Sequence, residues 1–233
     1  MVLPICGKMW YNQLKLMKDV GNCTMINISK SGFMINYWQY YLLLEKRFID
    51  TLDYITLAEE NYPCFSNEYA LLIQAVGSEL DSVFKTYCGY DSSQKKNIAD
   101  YATYILSHYS RITTQTIRIP EYRIEIAPFK NWNGTRPKQS LVWWNAFDNI
   151  KHSRQDHRKD ANQKNVLDIL GALFLLERKM LQEIVVGDGT EEVKEPDHPD
   201  RKSNLFSLAN TGWVTKMWVV PIDGCIRDST ECD

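Results

Sequence analysis

Apolar residues recur at steps of three and four along most of the chain, which is the spacing of one buried face of an α-helix. Residues 36–60 carry the first such stripe, and Pro63 is expected to end that helix because proline cannot donate the next backbone hydrogen bond. Residues 65–89 predict a second helix, with Ser66 as its N-cap and Gly89 just beyond its C-terminus. The stripe of the first helix comprises Tyr37, Tyr41, Leu44, Phe48, Leu52 and Ile55.

The apolar period falls to two in residues 116–129, where isoleucine and tyrosine alternate with arginine and glutamate. This alternation predicts a small, one-sided β-hairpin or pair of strands. Pro120 keeps the segment from being a central strand throughout, because it cannot donate to a strand ladder. Before the hairpin, residues 92–110 predict a third helix, capped by Ser92 or Ser93.

Two more helices are predicted after the hairpin, over residues 138–154 and 160–181. The second is apolar over much of its surface, so we expect it to lie at the centre of the fold. Together these elements predict a mainly α protein, a bundle of four or five helices with a small β-hairpin.

The distribution of charge and of turn residues divides the chain into four segments. Residues 1–35 are mixed, and residues 29–32 within them predict a turn. Residues 36–185 form the helical domain, with the hairpin as an insertion. Residues 186–203 are rich in acids, glycine and proline, as is typical of an exposed linker. Residues 204–233 form a C-terminal extension with some strand character.

The bulk composition constrains the classes of function. The chain has 233 residues, 44% of them hydrophobic, and its formal net charge is −2. Such a balance gives no general attraction to nucleic acid or to a membrane, so any nucleic-acid contact would need a local basic patch. The six cysteines form no C-x-x-C pair, and the N-terminus shows no signal-peptide pattern. These features predict a cytoplasmic protein with reduced thiols, no membrane association, no metal site and no cofactor.

The polar face of the helix at 138–154 is the first candidate site. Asp148 lies one turn before His152, and Asn149 shares the same side of the helix. A carboxylate at that spacing can fix the tautomer of an imidazole and raise its pKa, which suits acid–base chemistry near neutral pH. The alternative is a polar residue that the C-terminal helix dipole favours, and histidines at helix ends are common.

The segment that follows, residues 151–160, is the densest basic stretch of the chain. It could contact nucleic-acid phosphates. The alternative is a solvated helix end whose acids, Asp156 and Asp160, pair with its cations. The cationic candidates are Lys151, Arg154, Arg158 and Lys159.

The helix order and two local patterns resemble the HEPN superfamily over residues 36–185. The first pattern is "NAFDNIKH", which places His152 where the family has its catalytic histidine. The second is "SELDSVFK", in which Asp81 and Lys85 match an acidic-then-basic pattern on a core helix. The resemblance implies a core of four or five helices and a dimer that packs the helix at 138–154 against its mate. Many family members are ribonucleases of toxin–antitoxin, abortive-infection and other defence systems.

The chain departs from the family's ribonuclease motif at one position. That motif has an arginine followed by four to six residues and then the histidine, but Phe147, Ala146 and Asn145 hold these positions here. An arginine would stabilise charge on the phosphate in the transition state. The resemblance without the arginine implies a non-enzymatic binding module for nucleic acid, a nucleotide or a partner protein, and a homodimer.

Two alternatives stay open. One is a metal-independent ribonuclease with a degenerate site, in which His152 is the acid–base group and Asp148 or Asn149 orients it. Lys151 or Arg154 would then contact the phosphate. The other is a purely structural protein in which the aromatic pair of the same helix, Trp143 and Trp144, serves as core or interface residues.

Overall fold

The computed structural model describes residue 26 and residues 28–91, 93–186 and 199–208. These residues form a mainly helical fold with a three-stranded antiparallel sheet, which confirms the predicted class. The predictions for residues 1–25, for most of the acidic linker and for residues beyond 208 lie outside the described residues. Within the described ranges, no helix combines the length and the apolar character that crossing a bilayer requires.

The first helical region begins and ends earlier than predicted. Helix α1 (Lys30–Phe33) continues through a π-helical turn (Met34–Trp38) into α2 (Gln39–Thr51). The Ser29 hydroxyl caps α1 by accepting the Gly32 N–H at 3.1 Å, so the turn predicted at residues 29–32 is wrong.

Helix α2 ends well before Pro63 because tertiary pairing replaces the helical pattern. The backbone N–H of Ser66 donates to Ala161 at 3.2 Å, and that of Gln163 donates to Cys64 at 3.0 Å. These bonds fix residues 62–66 beside the start of the last helix, so the chain must leave α2 early to reach it.

The next two helices differ in how well their caps were predicted. In α3 (Asn67–Tyr87), Ser66 accepts the Tyr69 N–H at 3.0 Å, and Gly89 adopts a φ of 66°, which confirms both predicted ends. Helix α4 (Ile98–His108) begins later than predicted. Its cap is Asn97, which forms a reciprocal capping box with Asp100. The predicted cap at Ser93 is therefore wrong, and Ser92 lies outside the described residues.

The predicted hairpin is present and gains a third strand. Strands β1 (Ile117–Ile119) and β2 (Ile124–Ile126) pair antiparallel, with Ile117 opposite Ile126. Pro120 opens the 3₁₀ turn between them. Strand β3 (Ser207–Leu208) pairs with the other edge of β1, so the strand order is β2-β1-β3.

The last two helices are α5 (Val142–Ser153) and α6 (Gln163–Val186). Helix α6 is buried along most of its length, which confirms its central position. Trp143 and Trp144 of α5 lie in the same core, and the Trp143 indole N–H donates to the Pro128 carbonyl at 2.8 Å. The two tryptophans are therefore core residues within this chain rather than exposed interface residues.

A buried carboxylate anchors the segment at residues 199–208. Glu45 of α2 accepts hydrogen bonds from the backbone N–H groups of Asn204, at 2.9 Å, and Leu205, at 3.3 Å. The Tyr41 hydroxyl donates to the same carboxylate at 2.6 Å, and the Ser203 hydroxyl donates as well. Because bonds to a charged acceptor are strong, the first residues after the linker belong to the core of the helical domain.

A second buried glutamate has no such partners. Glu177 of α6 is fully buried, and neither carboxylate oxygen has a hydrogen-bond partner among the described residues. Burial raises the pKa of the Glu177 carboxyl well above its usual range, and the charge of nearby Glu79 adds to the shift. Burial therefore favours the neutral form of this acid in the folded protein.

We expect this acid to make the protein less stable as pH rises. The unfolded chain releases the proton near pH ~4.3, whereas the folded chain keeps it to a higher pH, so the unfolded state binds fewer protons in between. Urea unfolding from about pH 5 to about pH 8 should show the wild type losing free energy of unfolding relative to Glu177→Gln. A constant difference between the two proteins across that range would contradict the prediction.

The contact between α3 and α5 depends on a glycine. A Cβ on Gly77 would lie 2.3 Å from Cδ2 of Phe147, whose ring packs edge-on against Trp144. Gly77→Ala should therefore destabilise the fold by about 1–3 kcal/mol, despite the gain of about 1 kcal/mol in helix propensity. Gly134→Ala is the control, since a Cβ there meets no atom within 4 Å. Equal urea midpoints for wild type and Gly77→Ala would refute the tight contact.

Candidate functional site

The packing of α5 determines which of its residues face outward. Trp143, Phe147 and Ile150 are buried, so they hold one side of the helix against the core. Its last turn carries the polar residues to the surface, and the side chain of His152 is 71% exposed. The predicted catalytic histidine therefore lies on an open surface.

His152 belongs to a string of three charged or ionisable groups. Its Nε2 atom lies 3.4 Å from Oδ1 of Asp148, and the Lys138 ammonium binds the other oxygen of that carboxylate. Asp148 can thereby orient the imidazole, while Lys138 balances the carboxylate charge. The structure brings His152 and Asp148 together, as the helical spacing predicted.

Lys138 is a site residue that the sequence did not indicate. On the predicted helix from residue 138, ten residues would separate Lys138 from Asp148 by about 15 Å along the axis. That helix start is wrong, because α5 begins at Val142 and residues 136–141 form turns, with the Ser140 N–H donating to the Arg136 carbonyl at 2.9 Å. The turns fold Lys138 back onto the helix.

Asn149 lies in a different cluster from His152. Its Nδ2 donates to Oδ2 of Asp160 at 2.9 Å, and Nδ1 of His157 lies 3.4 Å from the same oxygen. The Asp160 carbonyl also accepts from Asn165 Nδ2 at 2.9 Å. These bonds connect the end of α5 to the start of α6, so Asn149 has an architectural role in this structure.

The cations of residues 151–160 do not pair with the acids among them. Asp156 accepts from the Ser153 hydroxyl, and Asp160 serves Asn149 and His157. Among the described residues, no carboxylate oxygen lies within 4.0 Å of the side-chain nitrogens of the four cationic candidates. All four are exposed; they are Lys151, Arg154, Arg158 and Lys159.

Two of these cations have other contacts. The Lys151 ammonium lies 5.6 Å from the centre of the Phe147 ring, and Arg154 donates to the Asn67 amide oxygen at 3.3 Å. With Lys138 included, five cations face three carboxylates, Asp148 among them, which leaves this end of α5 with a formal charge of +2. We call this set of eight residues the cationic surface; its members are Lys138, Lys151, Arg154, Arg158, Lys159, Asp148, Asp156 and Asp160. Its formal charge is positive, whereas that of the whole chain is −2.

A groove of about 390 Å³ opens beside the cationic surface. Its walls come from the end of α2, the loop that follows it and the start of α3, and they include Tyr54 and Tyr69. This groove could not be predicted from the sequence, since the predicted first helix continued through Tyr54 to residue 60. The exposure of Tyr54, at 90%, distinguishes it from the buried tyrosines of the core.

The second motif of the resemblance has a structural explanation in this fold. Lys85 and Asp81 of α3 form an ion pair at 2.9 Å, and the Tyr101 hydroxyl donates to Asp81 at 2.8 Å. The two residues of this pattern therefore stabilise one turn of α3 and, through Tyr101, tie α3 to α4.

Neither a cluster of metal ligands nor the buried Cys88 thiol adds a candidate site in the described ranges. No group of three histidine, cysteine, aspartate or glutamate side chains there is placed to hold a metal ion. Asp156, which the helical spacing put in line with Asp148 and His152, points to Ser153 instead. Burial raises the pKa of the Cys88 thiol to about 12, so that thiol stays protonated and unreactive.

No family model matches the chain, and neither a curated protein nor a solved structure matches it. The HEPN resemblance therefore stays a prediction that depends on the helix order and on the two motifs of α3 and α5.

Proposed function

We propose that the protein is a non-enzymatic nucleic-acid-binding module and that the cationic surface holds the phosphates of an RNA strand. One observation carries the proposal: four exposed cations in one ten-residue segment have no carboxylate partner among the described residues. A phosphate can bind them without first breaking an ion pair. Arginine adds a planar pair of donors that matches the oxygens of a phosphate.

The backbone that carries these cations is held in place by side-chain hydrogen bonds. Asn162 Nδ2 donates to the Lys159 carbonyl at 2.9 Å, and Asn165 Nδ2 donates to the Asp160 carbonyl at the same distance. Asn149 fixes Asp160 from the side of α5. A loop that is already ordered loses less entropy on binding, so these contacts favour a preformed site over a solvated helix end.

We also propose that the helical domain is a HEPN-like bundle. Helix α3 packs against α2, α5 and α6, and α5 packs against α6. This arrangement places the helix that carries His152 in the body of the bundle with its end at the surface. The predicted homodimer through residues 138–154 would place two cationic surfaces close together, and light scattering on the full chain tests it.

Removing the cations should abolish most RNA binding. We expect the quadruple alanine variant to weaken binding of a fluorescein-labelled 12-nucleotide RNA, measured by anisotropy, by at least about tenfold at low salt. The wild-type plot of log K against log salt should have a slope of about −1.4 to −2.8, as for two to four phosphates on a single strand. The variant changes Lys151, Arg154, Arg158 and Lys159 to alanine.

The matched control removes the same number of exposed cations from other elements. It changes Lys95, Arg111, Arg118 and Lys130 to alanine. If both variants lose affinity equally, the binding reflects net charge alone and the cationic surface is not the site. DNA of the same sequence tells whether the sugar matters.

A metal-independent ribonuclease is the second candidate, and the string from Lys138 through Asp148 to His152 favours it. The imidazole is exposed and oriented by a carboxylate, which suits an acid–base group. Lys138 lies next to the position where a phosphate would meet that imidazole. Its ammonium could provide some of the charge stabilisation that the missing arginine supplies in the family motif.

Cleavage of RNA by wild type and by His152→Ala separates the two candidates. If the site is catalytic, the wild type should cleave in the presence of EDTA, and His152→Ala should lose about 10²- to 10⁴-fold in rate while still binding RNA. If the protein is a binding module, neither protein should cleave. Equal cleavage by both would remove His152 from any mechanism.

A further inference from the structure

We propose that the groove between α2 and α3 accepts one unpaired nucleobase of the strand bound at the cationic surface, and that this base stacks on Tyr54. The inference rests on the proposed function, because the phosphates on either side of the base would be held by the cations of that surface. It makes the protein a reader of single strands rather than of duplexes.

The aromatic side chains of this region are the first support. Tyr54 is 90% exposed, and Phe65, on the same loop between α2 and α3, is 49% exposed. An exposed aromatic ring that no neighbour covers offers a flat apolar face to a ligand. Proteins that bind single strands combine such rings with a cationic track, since every base can stack on them.

The second support is that the groove and the cationic surface share one piece of backbone. Residues 64–66 pair with residues 161–163, with the Ser66 N–H 3.2 Å from the Ala161 carbonyl. Across this junction, Arg154 donates to Asn67, the residue that follows Ser66 of the groove wall. A strand lying on Arg154 would therefore pass beside the part of the groove wall that Ser66 forms.

The charges inside the groove explain why a base would enter it and a phosphate would not. Arg47 pairs with Glu68 at 2.8 Å, and Asp50 is bound by Lys46 at 2.9 Å from its Oδ1. Each carboxylate of the groove wall, Asp50 and Glu68, is thus paired with a cation, so the groove has no net positive charge that would attract a phosphate. Its carboxylates can accept from the amino groups of a neutral base, and its volume of about 390 Å³ lies within the range of small-ligand sites.

The test compares single-stranded RNA with the same RNA annealed into a duplex, bound to full-length protein and measured by anisotropy. Tyr54→Ala should weaken single-strand binding by about 5- to 100-fold, as expected for the loss of one stacked base. Tyr54→Phe keeps the ring and should bind as the wild type does. Neither variant should change duplex binding, and Tyr40→Ala, an exposed tyrosine about two helical turns up α2 from Arg47, should change nothing.

The outcomes distinguish this inference from the proposed function. If Tyr54→Ala binds single strands as tightly as the wild type, or weakens duplex and single strand equally, the base site is overturned while the cationic surface stands. If the wild type binds neither form, both proposals fail. Ultraviolet crosslinking provides a second readout, since crosslinks should fall on the peptide with Tyr54, and crosslinks confined to residues 154–162 would overturn the base site.

Discussion

The structure depends on one constraint, which is that α6 presents apolar side chains on nearly every side. Its residues from Val166 to Leu176 include nine hydrophobic side chains, and each of them is at most 3% exposed. Since burying one such side chain contributes about 1.5–3 kcal/mol, α6 must be covered all round. Helices α2, α3 and α5 cover it, and the hairpin approaches at Gly171, where a Cβ would lie 2.7 Å from Cδ1 of Ile117. Phe206 completes the cover by packing against Phe174 at 5.5 Å between ring centres.

Because the other elements cover α6, a polar side chain in the core needs hydrogen-bond donors around it if it is to keep a charge. Two buried glutamates differ in whether they have such donors. Glu45 is held by four donors, two of them backbone groups of the segment that ends in β3, so its charge becomes an anchor. Glu177 lies on α6 itself, where burial among apolar groups and the nearby acid Glu79 raise the pKa of its carboxyl and favour the protonated form. The last turn of α5 extends past the core to the surface, and the densest basic segment of the chain, residues 151–160, begins there.

The sequence predicted the parts of the fold in which local pattern and tertiary packing agree. The caps of α3, the central place of α6 and the alternation of the hairpin followed from spacing alone. Prediction failed where a distant partner decided the outcome. Helix α2 stops at Thr51 because the following loop pairs with residues 161–164, and β3 forms because Glu45 and β1 bind a segment that looks like the end of a linker. The periodicity of apolar residues within a segment contains no information about which distant segment it will pair with.

In the candidate site too, helical spacing predicted one contact between charged groups, whereas distant partners decided the others. Spacing placed Asp148 beside His152, but it could not tell that Asp160 would turn to Asn149, or that Asp156 would turn to Ser153. Asp156 and Asp160 stabilise the corner between α5 and α6, and this is why the four cations have no carboxylate partner among the described residues. Asp148 differs from these two acids, because its carboxylate binds the Lys138 ammonium and lies beside the His152 imidazole. At this corner the carboxylates of Asp156 and Asp160 bind neighbouring side chains, and the four cations of residues 151–160 face solvent.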